Sequence, residues 1–272
     1  MNGPVKVAVC GALGRMGQKV IQAVSNRQAM LLAGAAERPD HPLTGQNISY
    51  LPGLTGLDIR LAASLSDAAN GAAVYIDFTS IESSLAYLRE AVDLKIGAVI
   101  GTTGFSVEQQ KELAKAAERI PVLWAPNMST GVNVMYKIAA AMTKMLGRDF
   151  DIEIIEAHHR LKKDAPSGTA VKLHDTVAKA RGLAPEASLI TGRNGLVGER
   201  TAEEIGVLAV RGGDIVGDHT VIFAGPGERL ELVHRAHTRD TFAEGAVRVA
   251  AWLAGRGPGL YSIDDTLAVE DL

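Results

Sequence analysis

The sequence predicts an α/β chain: a doubly wound parallel sheet followed by a smaller α+β unit. Three observations carry this. Short apolar runs alternate with helical patterns from residue 5 to residue 129, the rhythm of a parallel sheet with helices on both faces. The first run ends in GALGRMG, a glycine turn set between a strand and a helix. After Ser129 the pattern changes to longer strands broken by glycine-rich turns.

Residues 5–10 (VKVAVC) form the first strand. Gly11, Gly14 and Gly17 follow at once, and Val20, Ile21 and Val24 continue at helical spacing. Strand, glycine turn and helix make the context a dinucleotide fingerprint requires, here in the form G-x-x-G-x-x-G. Gly11 permits the tight turn, Gly14 the close approach to a pyrophosphate, and Gly17 the packing of helix on strand. An ordinary glycine-rich turn has the same look, so the next βα unit has to support it. Residues 31–36 read as the second strand, with Glu37 and Arg38 at its end. An acidic residue there accepts hydrogen bonds from the adenosine ribose of NAD, and an arginine pairs with the 2′-phosphate of NADP. Together they point to use of either cofactor; a surface ion pair is the plainer alternative.

Residues 39–60 read as a surface excursion and 64–70 as a short helix. Strands follow at 74–78, 98–100 and 121–125, with helices at 81–94 and 107–119 between them. The second of these helices opens with Ser106 and Gln109 in capping-box spacing. The small residues Gly101, Thr102, Thr103 and Gly104 at a strand end leave room for a ligand in the crevice of an open sheet. Beyond residue 129 come a helix at 132–146, a strand at 150–157, a helix at 169–181 and a polar, glycine-containing loop at 184–203, read as mobile. Strands at 205–211, 217–224 and 229–236 then give a sheet of about four strands covered on one face by helices. A last helix at 241–253 packs back on the first domain with the tail to residue 272.

Composition narrows the function. The 272 residues are 47% hydrophobic and 22% charged with a net charge of −3, which suits a globular chain and not a basic nucleic-acid surface. Aromatic content of 4% argues against base-stacking platforms. Cys10 is the single cysteine, so no internal disulfide and no cysteine-based zinc site can form, as in a reducing cytosol. The first residues, MNGPVKVAVCG, do not read as a secretory signal, and no apolar run is long enough to span a membrane.

The densest chemistry lies in residues 156–170, EAHHRLKKDAPSGTA. His158, His159, Lys162 and Lys163 precede a helix start with Ser167 as N-cap and Gly168 and Thr169 in the first turn. Cations beside a helix N-terminus suit a small anionic substrate such as a carboxylate, and the imidazoles and ammonium groups can move protons. Taken singly, each is more simply a solvated loop residue. His41, His174, His219, His234 and His237 have packing or surface readings. His158 and His159, adjacent on an extended stretch, point apart, so no metal site is expected.

The 156–170 string resembles the signature of the dihydrodipicolinate reductase family, NAD(P)H-dependent enzymes of the diaminopimelate route to lysine. VAVCGALGRMG, the Glu37-Arg38 pair, IDFT, VIGTTGF, GVNVM and RGGDIVGDH match as well, so the resemblance spans nearly the whole chain. Met128 departs from it, because relatives often place Phe there. The resemblance implies a Rossmann-type dinucleotide-binding domain at 1–129 plus 240–272, and an inserted α+β substrate-binding and oligomerisation domain at 130–239. It implies NADH or NADPH as cofactor, held by Gly11, Ala12, Leu13, Gly14, Arg15 and Met16 at the pyrophosphate and by Glu37 and Arg38 at the ribose. Gly101, Thr102, Thr103, Ala125, Pro126, Asn127 and Met128 would line the nicotinamide side. A small cyclic dicarboxylate would be gripped by His159, Lys162, Ser167, Gly168 and Thr169, with His158 and Lys162 as the catalytic pair. It further implies a homotetramer; the single cysteine fits a cytoplasmic setting, and sites on two domains call for closure on substrate. Two rival readings stay open: an amino-acid or sugar dehydrogenase of similar build, and a non-catalytic dinucleotide sensor.

Overall fold

The computed structural model describes residues 3–51, 54–56 and 58–267. In chain order the elements are β1 (Val5–Cys10), α1 (Arg15–Ser25), β2 (Met30–Ala36), β3 (Leu61–Ala62), α2 (Leu65–Ala68), β4 (Val74–Asp77), α3 (Ile81–Leu94), β5 (Gly97–Ile100), α4 (Val107–Ala117) and β6 (Pro121–Trp124). They continue with α5 (Thr130–Leu146), β7 (Asp151–His158), α6 (Gly168–Arg181), α7 (Pro185–Ser188), β8 (Leu189–Ile190), β9 (Ile205–Arg211), β10 (Gly217–Gly225), β11 (Glu228–Ala236), α8 (Asp240–Leu253), β12 (Gly259–Tyr261) and α9 (Ile263–Thr266). The chain divides into two compact units, Met1–Ser129 with Asp240–Ala268, and Thr130–Arg239.

The first unit is a parallel sheet in the order β12-β6-β5-β4-β1-β2-β3. The strand order reverses at β1, which pairs β2 on one side and β4 on the other. Such a reversal opens a crevice at the carboxyl ends of the strands, where ligands bind in open α/β sheets. β4 and β5 are buried along their whole length, as expected of strands covered on both faces. One core layer packs α1 and α8 on the sheet through Val20, Ile21, Val24, Val247 and Leu253; the other packs α3 and α4 through Leu85, Leu88 and Leu113. The capping box of Ser106 and Gln109 forms at α4. Two strands went unforeseen. β3 has two residues and β12 three, too short to leave a pattern, yet they extend the sheet at both edges. The tail beyond residue 267 and the excursion residues 52, 53 and 57 lie outside the described residues.

The second unit is a mixed sheet in the order β11-β10-β7-β9-β8. Its buried face carries Ile152, Ile154, Val207, Val221 and Phe223 against Met135, Ala139, Leu173 and Val177 of α5 and α6. This corrects the expected four strands to five, because β8 pairs β9 in parallel. The 184–203 stretch, expected to be a mobile loop, holds α7 and β8. Beyond them Arg193 and Arg200 both bond Glu153, at 2.9 to 3.0 Å. Burial raises the Glu153 carboxyl, but the two guanidinium groups outweigh that and hold it below its ordinary range. Among the described residues no helix is long and apolar enough to cross a membrane.

Candidate active site

In the first unit the turn from β1 to α1 forms a backbone cradle. Gly11 has φ +67° and lies against the Thr79 methyl group, so a side chain there would meet both strain and Thr79. Gly17 is where α1 crosses the turn: a Cβ would collide with the Gly11 carbonyl oxygen and sit 2.8 Å from the Ala12 Cα. Gly14 is the N-cap of α1, with no side-chain cap and no acid in the first turn. The opening amides of α1 therefore face the crevice with no side-chain oxygen on them, which suits an anion. Glu37, at the end of β2, accepts the Leu13 N–H at 3.2 Å and the Arg38 N–H at 3.1 Å, tying the end of β2 to the glycine turn. Arg38 is exposed and pairs with Asp40 at 3.4 Å. These residues fit a bound dinucleotide.

The far side of the crevice is organised by a carboxyl the sequence did not single out. Asp77, at the end of β4, is fully buried. It accepts hydrogen bonds from the Thr79 N–H at 2.9 Å, the Thr79 hydroxyl at 2.6 Å, Thr102 at 3.4 Å and Ser84. Burial raises its pKa despite these four donors. Thr102 and Gly101 thus stand in a fixed rim, Thr103 is exposed beside them, and Trp124 Nε1 donates to the Thr102 carbonyl at 2.9 Å. Ala125 is buried, Pro126 exposed and Asn127 half-buried. Met128 is 1% exposed and belongs to the core, as does Ala12, so both side chains pack inside the first unit.

In the second unit β7 runs into the 159–167 loop and α6. Side chains two apart on a strand share a face, and Glu156 and His158 do so, with Oε2 2.7 Å from Nδ1. Arg211, from β9, grips Glu156 with two bonds of 2.8 Å. The Ser167 N–H donates to Glu156 at 3.0 Å, and Arg211 also reaches the Asp164 carbonyl at 2.7 Å. Burial raises the Glu156 carboxyl, but Arg211, His158 and the Ser167 amide together hold it below its ordinary range. Ser167 caps α6 by accepting the Ala170 N–H. Ser167, expected among the substrate-gripping residues, has a buried hydroxyl that accepts the Ala170 N–H and lies 3.1 Å from His219 Nε2. Gly168 and Thr169 open the helix as expected. Lys162 Nζ lies 2.9 Å from Asp164, with its side chain 20% exposed, while Lys163 is exposed. His159 has a buried Nδ1 without a partner, and its Nε2 faces Arg239 at 3.4 Å.

His219, expected to be a packed or surface histidine, is 4% exposed, bonds Ser167, and stacks edge-on with His158 at 5.3 Å. Burial chiefly, then the neighbouring His158, pushes its pKa down to about 4. The unfolded chain therefore takes up this proton from about pH 6.5 downward while the folded chain refuses it until about pH 4. Stability from this group is complete above pH 6.5 and is lost on acidification, by roughly 3 kcal/mol at the acid end. Urea unfolding at pH 7 and pH 4.5 should show a shallower loss in His219→Asn than in the parent; parallel losses would remove this assignment. Glu156, Arg211 and Arg239 were likewise not chosen as site residues. The signal for Glu156 was its spacing of two from His158, and for Arg211 and His219 it was their place in RGGDIVGDH.

Comparison with known proteins bears directly on these two sites. The family model described as dihydrodipicolinate reductase, N-terminus, matches residues 5–128, and that described as dihydrodipicolinate reductase, C-terminus, matches residues 131–267. The chain belongs to the dihydrodipicolinate reductase family. It is 48% identical over 265 residues to the 4-hydroxy-tetrahydrodipicolinate reductase of Geotalea uraniireducens (strain Rf4), covering 97% of this chain and 99% of the relative. It is 49% identical over 266 residues to that of Geotalea daltonii, covering 98% and 100%. A solved dipicolinate-bound dihydrodipicolinate reductase from Paenisporosarcina sp. TG-14 superposes with a TM-score of 0.75 at 25% identity, over 95% of this chain and 97% of the other. A myo-inositol dehydrogenase from Corynebacterium glutamicum shares the fold alone, with a TM-score of 0.54 at 15% identity over 94% and 90%. As a dihydrodipicolinate reductase the chain is an NAD(P)H-dependent oxidoreductase that reduces 4-hydroxy-tetrahydrodipicolinate to tetrahydrodipicolinate in the diaminopimelate route to lysine.

Proposed function

We propose that the first unit holds NADH or NADPH, and that the 159–167 loop with the start of α6 holds the cyclic dicarboxylate and supplies its proton. The observation that carries this reading is the convergence of His158, Arg211 and the N-terminus of α6 on one buried carboxylate, Glu156, in the same loop where Lys162 pairs with Asp164. The bound nicotinamide supplies the hydride. Gly11 to Met16 hold the pyrophosphate with the amides of α1, Glu37 and Arg38 read the ribose, and Gly101 to Thr103 with the 125–128 backbone line the nicotinamide. His159, Lys162, Gly168 and Thr169 neutralise the two substrate carboxylates through an imidazole, an ammonium group and helix amides. The Lys162 ammonium leaves Asp164 for the substrate and hands over the proton, His158 shares in the proton exchange, and the hydroxyl of the ring departs as water. NADH oxidation followed with and without 4-hydroxy-tetrahydrodipicolinate tests the reading: turnover should require that substrate. Turnover with a sugar or an amino acid in its place would favour the rival dehydrogenases.

The cofactor site should accept both dinucleotides. The Arg38 pair with Asp40 is exposed and screened, so a 2′-phosphate can replace it. Arg38→Ala should weaken NADPH much more than NADH, by roughly 1.5–3 kcal/mol for the lost charge-assisted bonds. Fluorescence titration checks this, and equal losses would show that Arg38 does not read the phosphate.

A homotetramer and a cytoplasmic setting complete the proposal. The sheet face turned away from α5 and α6 leaves Ile155, Val210 and Val233 exposed at 36%, 50% and 45%. A second apolar face asks for burial against other copies. Light scattering should give a mass near four chains; a stable monomer near 28.6 kDa would remove the claim. Cys10 is buried and unpaired, as suits a reducing compartment.

A further inference from the structure

We propose that Glu156 is the positioning residue of the substrate site: its carboxylate keeps a proton on Nδ1 of His158 and leaves Nε2 as the nitrogen that exchanges a proton with the substrate. This rests on the reading that His158 takes part in the chemistry. Glu156 is 0% exposed, and an ionised carboxylate can only accept. Two of the three groups that bond it are donors whatever their state: the Arg211 guanidinium at 2.8 Å and the Ser167 amide at 3.0 Å. The third is Nδ1 of His158 at 2.7 Å. If Nδ1 carried the lone pair, two acceptors would face each other at that distance in a site closed to water, which buried polar groups do not tolerate. Nδ1 therefore keeps its hydrogen in both states of the ring, and only Nε2 changes state.

The surroundings of Nε2 agree. Among the described residues none bonds it. A Cβ at residue 217 would lie 3.0 Å from it, so Gly217 on β10 keeps that nitrogen clear. The nearby His219 has its Nε2 on the Ser167 hydroxyl and its Nδ1 buried, and the ring is 4% exposed. Glu156 also fixes the loop that carries Lys162. Its partners Ser167 and Arg211 hold the far end of the 159–167 segment, Arg211 through the Asp164 carbonyl at 2.7 Å. Ring orientation and loop position thus depend on one carboxylate.

The test is ¹⁵N NMR of the histidine rings in the full-length, cofactor-bound enzyme, with His158 assigned by its loss in His158→Gln. The wild-type spectrum needs no folded variant, and should show a pyrrole-type Nδ1 and an Nε2 that changes on adding dipicolinate. A pyridine-type Nδ1 would overturn the proposal outright. In Glu156→Gln the ring should populate both tautomers, kcat should fall by about tenfold or more, towards the 10²–10⁴ of a positioned proton donor, and NADH affinity should stay unchanged. The double variant with His158→Gln should lose less than the product of the two single losses, because the part of Glu156 that acts through His158 adds nothing once His158 is gone and only its hold on the loop remains. Fully multiplied losses would mean that Glu156 does not act through His158. Full activity in His158→Gln alone would refute the proton-exchange role, while the wild-type spectrum would still decide the tautomer.

Discussion

Lys162→Ala is expected to lower kcat by roughly 10²–10⁴, the span for loss of a positioned acid, while Lys163→Ala stays close to the parent. The two lysines are neighbours in sequence and differ in placement. The Lys162 N–H bonds the His159 carbonyl at 3.1 Å, a turn that brings its side chain beside Asp164 and leaves it mostly buried. Lys163 is exposed. Lys162 holds Asp164 below the ordinary carboxylate range, so the loop already stabilises a carboxylate next to this ammonium. A substrate carboxylate would take that place. NADH binding should be nearly unchanged in both variants, since Gly11, Glu37 and Asp77 belong to the other unit. Steady-state kinetics with NADH and 4-hydroxy-tetrahydrodipicolinate checks the pair. A crippled Lys163→Ala beside a healthy Lys162→Ala would place the wrong lysine in the site.

Gly17→Ala is the second large effect, and it acts on the cofactor. The added methyl group would meet backbone on two sides, the Gly11 carbonyl and the Ala12 Cα, and neither can swing away as a side chain can. Either α1 backs off the sheet or the glycine turn moves. Overpacking of this kind costs about 1–3 kcal/mol, and it falls on the cradle that must approach the pyrophosphate. NADH affinity should drop by about tenfold or more, with a lower thermal midpoint, while dipicolinate binding at the other unit keeps its contacts. Isothermal titration with NADH measures it. An unchanged dissociation constant would mean that the turn at Gly11 does not hold the dinucleotide.

Much of this was legible because local chemistry repeats along the chain. The glycine turn, the strand ends at Glu37 and Gly101, and the Ser106 and Ser167 caps each depend on residues within a few positions of one another. What escaped the sequence depends on distance. Glu156 reads as an ordinary charged strand residue until Arg211, 55 positions away, is seen gripping it. His219 stands 52 positions from Ser167, and a lone histidine on an alternating strand gives no hint of that bond. Asp77 ends a strand in the manner of many solvent-facing residues, and only the return of Ser84 and Thr102 shows it buried. β3, β8 and β12 were missed for another reason. Strands of two or three residues have no room for an alternating pattern.

The most direct measurement is a calorimetric titration of the NADH-bound enzyme with dipicolinate, in the parent, Lys162→Ala and Lys163→Ala. A substrate held by the 159–167 loop and the start of α6 predicts that dipicolinate affinity falls by about tenfold or more in Lys162→Ala and is kept in Lys163→Ala. Equal dipicolinate affinity in all three proteins would contradict the placement of the dicarboxylate in that loop.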